Sequence, residues 1–169
     1  MKTGLAALVT ALLLLPGIAQ ADELPMKAEA PITLTSPSAI LCEASTGQVI
    51  FEKNADERRP VASVNKVMTI LLTLEAVDEG RVSLEDQVTV SPRAASMGGS
   101  QAFLDAGERY KLSELLKTVI VASANDSAVA LAEHLAGTEE SFVRLMNTRA
   151  EELGLTNTHY ANCTGLPAQ

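Results

Sequence analysis

Ala62-Ser63-Val64-Asn65-Lys66-Val67-Met68-Thr69-Ile70-Leu71 opens a helical pattern with a basic residue where acids are favoured. Val67, Ile70, Leu71, Leu74 and Val77 recur at three- and four-residue steps, which predicts one apolar face opposite Asn65, Thr69, Ala76 and Glu79. Gly80 stands where a C-terminal cap belongs. Residues three apart on a helix are neighbours, so Lys66 can reach the Ser63 hydroxyl. A serine hydroxyl is a poor nucleophile until a base takes its proton, and an amine can be that base only well below its ordinary pKa of about 10.4. The positive end of the helix dipole and the flanking apolar stripe both push Lys66 that way. By itself Ser-x-x-Lys equally describes a capping serine followed by a lysine that snorkels to solvent.

A second element sits where one helical pattern stops and the next begins, at Ser123-Ala124-Asn125. In an extended or turn segment residues two apart face the same side, so a hydroxyl and a carboxamide can line one cleft. The hydroxyl can relay a proton, and the amide can both donate to and accept from a substrate peptide group. A pair of helix caps is the structural alternative, and it is the two motifs together that favour chemistry.

Outward from these motifs the elements alternate in type. Ala39–Cys42 and Gln48–Phe51 flank Ser45-Thr46-Gly47 and predict a hairpin, and Gln87–Val90 predicts a further short strand. Ser113 is expected to cap a helix carrying Leu115, Leu116, Val119 and Ile120, interrupted at Ser123–Asp126. A second helix is expected from Ala128 to Ala136, and a third from Thr138 with Phe142, Leu145, Met146 and Leu153 on one side. Glu139, Glu140, Glu151 and Glu152 are expected on a solvated face, and His134 and His159 offer no triad.

The chain of 169 residues is 47% hydrophobic and 20% charged, the balance of a globular domain with an aliphatic core, since aromatics make up only 3%. A net charge of -8 excludes a phosphate backbone as partner, because nucleic-acid affinity rests on lysine and arginine. Lys2, the apolar run Leu5–Leu15, Pro16-Gly17 and Ala19-Gln20-Ala21 read as a signal peptide over residues 1–21, too short in its apolar part to span a bilayer. Residues 22–37 are linker-like, rich in Pro, Ser and Thr from Leu24 onward. Cys42 and Cys163 would then meet a non-reducing compartment; a disulfide is open to them, but two small buried hydrophobes is the favoured reading. No metal or cofactor is expected.

The two motifs, together with Ser45–Asp56, Lys66-Val67-Met68-Thr69, Gly98-Gly99-Ser100, Gly154–Thr158 and Gly165-Leu166-Pro167, resemble the D-alanyl-D-alanine carboxypeptidases, low-molecular-mass penicillin-binding proteins of peptidase family S11. The resemblance covers the chain from about Ser38. It implies an α+β fold of the β-lactamase/transpeptidase type, an antiparallel sheet begun by the hairpin plus a helical lobe, with residues 38–169 forming an incomplete catalytic domain. It makes Ser63 the acylated nucleophile, Lys66 the general base, Ser123 the proton relay and Asn125 the substrate-binding amide. The implied substrate is the peptidoglycan stem pentapeptide, which loses its terminal D-alanine in the periplasm or at the outer face of the cytoplasmic membrane, with β-lactams as inhibitors. Asn65 stands where threonine is usual and is expected to point outward. The family's third motif, Lys-Thr/Ser-Gly, is absent after the leader, so the chain is expected to be an inactive front portion, ending before the late strands and before any C-terminal region that associates with a membrane surface. A class A β-lactamase would share both motifs but needs a deacylating glutamate that has no counterpart here; a non-catalytic peptidoglycan-binding module is the other alternative.

Overall fold

A computed structural model of the chain describes residues 33–167; the leader and most of the linker-like segment lie outside the described residues. The chain divides into two compact units, Met1–Ala55 and Asp56–Gln169.

In the first unit β1 (Ala39–Cys42) and β2 (Val49–Lys53) pair antiparallel, Ala39 opposite Lys53 and Leu41 opposite Phe51, with a register shift before Cys42 meets Val49. The expected hairpin is therefore present. Its turn is built around Glu43, whose carboxylate accepts from the backbone N–H groups of Ser45 and Thr46 at 3.0 and 2.7 Å and from both hydroxyls at 2.8 Å. These bonds, the hydroxyl ones foremost, hold the Glu43 carboxyl down at about 2, well below the usual 4.5. Gly47 closes the turn at φ +72, a conformation that costs a residue with a side chain. Cys42 is exposed and Cys163 buried, and both are free thiols, so the expectation of a buried cysteine holds for Cys163 only.

The second unit opens with a 3-10 turn (Ala62–Asn65) running into α1 (Lys66–Asp78). There follow β3 (Gln87–Thr89), the short α2 (Pro92–Ala95), β4 (Arg109–Lys111), α3 (Leu112–Ala122), α4 (Asn125–Ala136) and α5 (Glu139–Glu152). Strands β3 and β4 form a two-stranded antiparallel ribbon with Val88 opposite Tyr110. Helices with two small antiparallel sheets make the α+β class expected from sequence.

The core gathers on α4, where every residue from Asn125 to Ala132 is buried. Ala124, Ala128, Ala130 and Ala132 have little bulk, so neighbouring elements close in on the helix from several sides. Around it pack Met68 and Leu72 of α1, Val88 of β3, Leu112, Leu115, Leu116 and Val119 of α3, and Phe142 and Met146 of α5. Helix α4 starts three residues earlier than its apolar pattern predicts, because Asn125-Asp126-Ser127 are buried polar residues with partners rather than a solvated loop.

Three predicted faces are corrected. On α1 the buried residues are Lys66, Met68, Thr69, Leu72, Thr73 and Ala76, while Val67 and Leu74 are exposed. Apolar residues occur all round this helix, so periodicity could not choose a face; Thr69 and Thr73 enter the core because their hydroxyls bond the Cys163 and Thr69 carbonyls at 2.8 and 2.7 Å. Ile120 on α3, and Leu145 and Leu153 on α5, are exposed rather than buried. Helix α3 begins at Leu112, where the Glu114 carboxylate accepts the Lys111 N–H at 3.1 Å, so Ser113 is not its cap. The Thr138 cap of α5 is as expected, its hydroxyl accepting from the Ser141 N–H at 3.1 Å. Glu139 leaves the solvated face to bond Arg93 at 3.1 Å and the Cys163 thiol at 3.4 Å.

Candidate active site

The 3-10 turn places Ser63, which is exposed, directly ahead of Lys66, which is 2% exposed at the first position of α1. Lys66 Nζ lies 3.1 Å from Ser63 Oγ and donates to the Thr164 carbonyl at 2.9 Å. Burial disfavours the ammonium and lowers the Lys66 pKa from its ordinary 10.5. The neighbouring Cys163 thiol adds no counter-charge near neutrality, because burial, and secondarily the Glu139 carboxylate, raise its own pKa. A neutral amine that donates one N–H to Thr164 has its lone pair left to accept the Ser63 proton, the arrangement an activated serine requires.

Behind this pair stands a turn that sequence reasoning did not connect to it. The carbonyls of Asn162, Cys163 and Thr164 accept in succession from the Asn65 amide at 2.9 Å, the Thr69 hydroxyl at 2.8 Å and Lys66 Nζ at 2.9 Å. Asn65 is thus half-buried and bonded, not outward-facing; an amide reaches a carbonyl that a shorter hydroxyl at the same position need not. The turn is held in shape by Asn162, whose Oδ1 accepts from Thr164 N–H at 3.1 Å and Gly165 N–H at 2.7 Å. Gly165 lies at φ +82, and a Cβ on it would stand 1.9 Å from the Ala62 carbonyl oxygen. Ala62 itself is at φ +47, so the residue before Ser63 is held in a strained conformation. Asn162-x-x-Gly165 is an Asx-turn signature and could have been found in the sequence; the carbonyls it presents leave no trace there.

Ser123 caps α3 in the left-handed conformation, φ 55, and is partly exposed. Among the described residues its hydroxyl forms no hydrogen bond, so it is not brought within bonding distance of Lys66. Asn125 is 3% exposed; its Nδ2 donates to the Gly98 carbonyl at 2.7 Å and its N–H to the Ser100 carbonyl at 2.7 Å. Its Oδ1 is buried without a partner. A buried acceptor left unpaired is costly, and a donor brought by a ligand would relieve it. Gly99, at φ +78, allows this approach, since a Cβ there would lie 2.8 Å from Asn125 Nδ2.

Fold and site together define an α+β protein carrying a helix-borne serine next to a buried, deprotonatable lysine. The family model for D-alanyl-D-alanine carboxypeptidases, peptidase S11, matches residues 25–169, and the chain belongs to this family. It is 51% identical over 129 residues to the D-alanyl-D-alanine carboxypeptidase DacF of Bacillus subtilis, covering 76% of this chain and 33% of that protein. It is 40% identical over 147 residues to DacC of Escherichia coli, covering 80% of this chain and 37% of that protein. Its fold is similar to that of the D-alanyl-D-alanine carboxypeptidase DacD from Francisella tularensis, TM-score 0.81 at 36% identity, over 88% of this chain and 36% of that one. It is also similar to penicillin binding protein 5 from Haemophilus influenzae, TM-score 0.80 at 32% identity, over 83% of this chain and 42% of that one. The chain thus spans about a third of the curated relatives' length.

Proposed function

We propose that the full gene product is an exported serine-type D-alanyl-D-alanine carboxypeptidase in which Ser63 is the nucleophile and Lys66 its general base. One observation carries this reading above the others: the buried Lys66 amine, its pKa lowered, 3.1 Å from Ser63 Oγ. In the acylation step Ser63 Oγ bonds to the carbonyl carbon of the penultimate D-alanine and its proton passes to Lys66. The C–N bond to the terminal D-alanine then breaks, and the leaving amine takes up the proton that Lys66 had received; Ser123, the relay in this reading, carries it only after its hydroxyl moves to within hydrogen-bond distance of Lys66 and the substrate. Water cleaves the resulting ester, giving its proton back through Lys66, and Ser63 is regenerated. The Ser63 N–H belongs to the opening turn of a helix, whose N–H groups lack intrahelical partners, and it serves as one oxyanion donor. Asn125 holds the substrate amide, its unpartnered Oδ1 accepting a peptide N–H. A β-lactam carbonyl traps the same serine, and residues 1–21 direct the chain to the compartment where peptidoglycan lies.

The test is labelling of the full gene product with a fluorescent penicillin, followed by peptide mapping. The label is expected on the peptide containing Ser63 and is lost in Ser63→Ala, along with release of D-alanine from a pentapeptide. A label on another residue, or a labelled Ser63→Ala protein, overturns the assignment.

A further inference from the structure

Glu139 opens α5 next to its Thr138 cap, where a carboxylate gains from the positive end of the helix dipole while staying hydrated. Its side chain is nevertheless only 12% exposed. One carboxylate oxygen is met from outside by Arg93 of α2 at 3.1 Å. The other turns inward and accepts twice from Cys163, from the N–H and from the thiol, each at 3.4 Å. Cys163 is fully buried, and burial, with the Glu139 carboxylate adding to it, raises the thiol pKa, so the sulfur keeps its proton and is the donor. Cys163 is also the middle one of the three residues whose carbonyls hold Asn65, Thr69 and Lys66. Because a peptide unit is planar, a grip on the Cys163 N–H fixes the Asn162 carbonyl that shares its plane. A grip on the Cys163 side chain fixes the next unit in turn. Helix α5 secures the approach to this turn as well, since Asn147 both donates to the Tyr160 carbonyl and accepts from the Tyr160 N–H at 2.9 Å. The same helix is tied to α1 by Arg149 and Glu75 at 2.8 Å, so one frame carries the turn and the helix it serves.

Resting on the function proposed above, we propose that Glu139 is a positioning residue for acylation: by gripping Cys163 from α5 it sets where the Thr164 carbonyl holds Lys66 Nζ against Ser63 Oγ. A lysine amine ends a flexible four-carbon stem, so its place is dictated by the acceptor it meets. What the turn requires of residue 139 is an acceptor oxygen at that reach, not a charge.

The experiment follows penicillin acylation of the full gene product at rising drug concentration and several pH values, which separates noncovalent binding from the rate of bond formation. Glu139→Asp keeps the charge but is one carbon too short for Cys163; Glu139→Gln loses the charge but keeps an acceptor oxygen at full reach. Glu139→Asp is expected to lose about tenfold in the bond-forming rate, less than the hundredfold of a misplacement of about 1 Å, with binding changed less than about twofold. Glu139→Gln is expected to stay within about twofold of the parent in both, with the same pH midpoint. Hydrogen exchange at the Cys163 amide reads the grip directly and is expected to quicken in Glu139→Asp alone. A role through charge gives the opposite order, with Glu139→Gln slow and its pH midpoint lowered, because removing a negative charge disfavours a nearby ammonium. A purely structural role lowers the melting temperature of Glu139→Asp and leaves its bond-forming rate unchanged. Either result, equal rates in the two variants, or unchanged Cys163 exchange in Glu139→Asp overturns the inference while acylation itself persists. Absence of acylation in the parent overturns the proposed function, and this inference with it.

Discussion

Replacing Gly165 by alanine strikes the site from behind. The added Cβ would stand 1.9 Å from the Ala62 carbonyl oxygen, 2.6 Å from its carbon and 2.8 Å from the Asn65 Cβ. A carbon and a carbonyl oxygen tolerate about 3.3 Å at closest, so the two segments must part by about 1.4 Å. The segment that moves is the one that ends in Ser63, while Lys66 stays bonded to the Thr164 carbonyl on the other side of the gap. A misplacement of about 1 Å at a reacting centre costs on the order of a hundredfold in rate. Overpacking adds roughly 1–3 kcal/mol of destabilisation, and the left-handed φ of +82 adds its own cost. Gly154→Ala separates these contributions, since it shares a positive φ, +73, but meets nothing within 4 Å. Measured by penicillin acylation rate and thermal melting on the full gene product, Gly165→Ala is expected to lose about a hundredfold in rate, and Gly154→Ala to lose stability alone. Equal acylation rates in the two variants would refute the claim that the 162–166 turn sets the position of Ser63.

Lys66→Arg keeps the charge but cannot deprotonate near neutrality, so acylation is expected to fall by orders of magnitude in a variant that still melts cooperatively. Because burial lowers the Lys66 pKa, the parent's acylation rate rises with pH through that lowered value; stability rises too, from there up to the unfolded value of 10.5, since the unfolded chain binds more protons in that window, and urea titrations at several pH values read it. Asp126→Asn leaves the loop amides a weaker acceptor and is expected to cost on the order of 2 kcal/mol, with faster hydrogen exchange at Ala102 and Leu104. The Glu43 carboxyl, held at about 2 against 4.5 unfolded, contributes its stabilisation fully above 4.5 and loses it as pH falls towards 2, while the native Ser45 and Thr46 amide resonances are expected to shift with a midpoint at about pH 2.

The Ser63–Lys66 pair was legible in the sequence because helical spacing alone makes such residues neighbours, and 3.1 Å is the outcome. The hairpin was legible from its turn residues, and the cap of α5 from Thr138. Strand β4 was not, because Arg109-Tyr110-Lys111 is three residues long, too short a run for its single alternation to stand out, and it is defined by its pairing with β3. The start of α4 was hidden by its polarity: Asn125, Asp126 and Ser127 resemble a solvated loop until their partners Gly98, Ala102 and Thr118 are in place. The backing of Lys66 by Thr164 was invisible for a different reason, since a main-chain carbonyl is supplied by every residue type and only the fold selects which one is used.

That backing also sets a clock. The carbonyl that holds Lys66 is 98 residues further along the chain, and those that hold Asn65 and Thr69 are 97 and 94 residues away. A chain emerging from the ribosome or a translocation channel N-terminus first presents Ser63 long before Thr164 exists to meet it. Until then the amine is hydrated and lacks the burial that lowers its pKa in the fold. Under the function proposed above, the surroundings that lower the Lys66 pKa are therefore complete only when the two distant segments close, and covalent capture of Ser63 is expected to report that closure rather than mere presence of the motif.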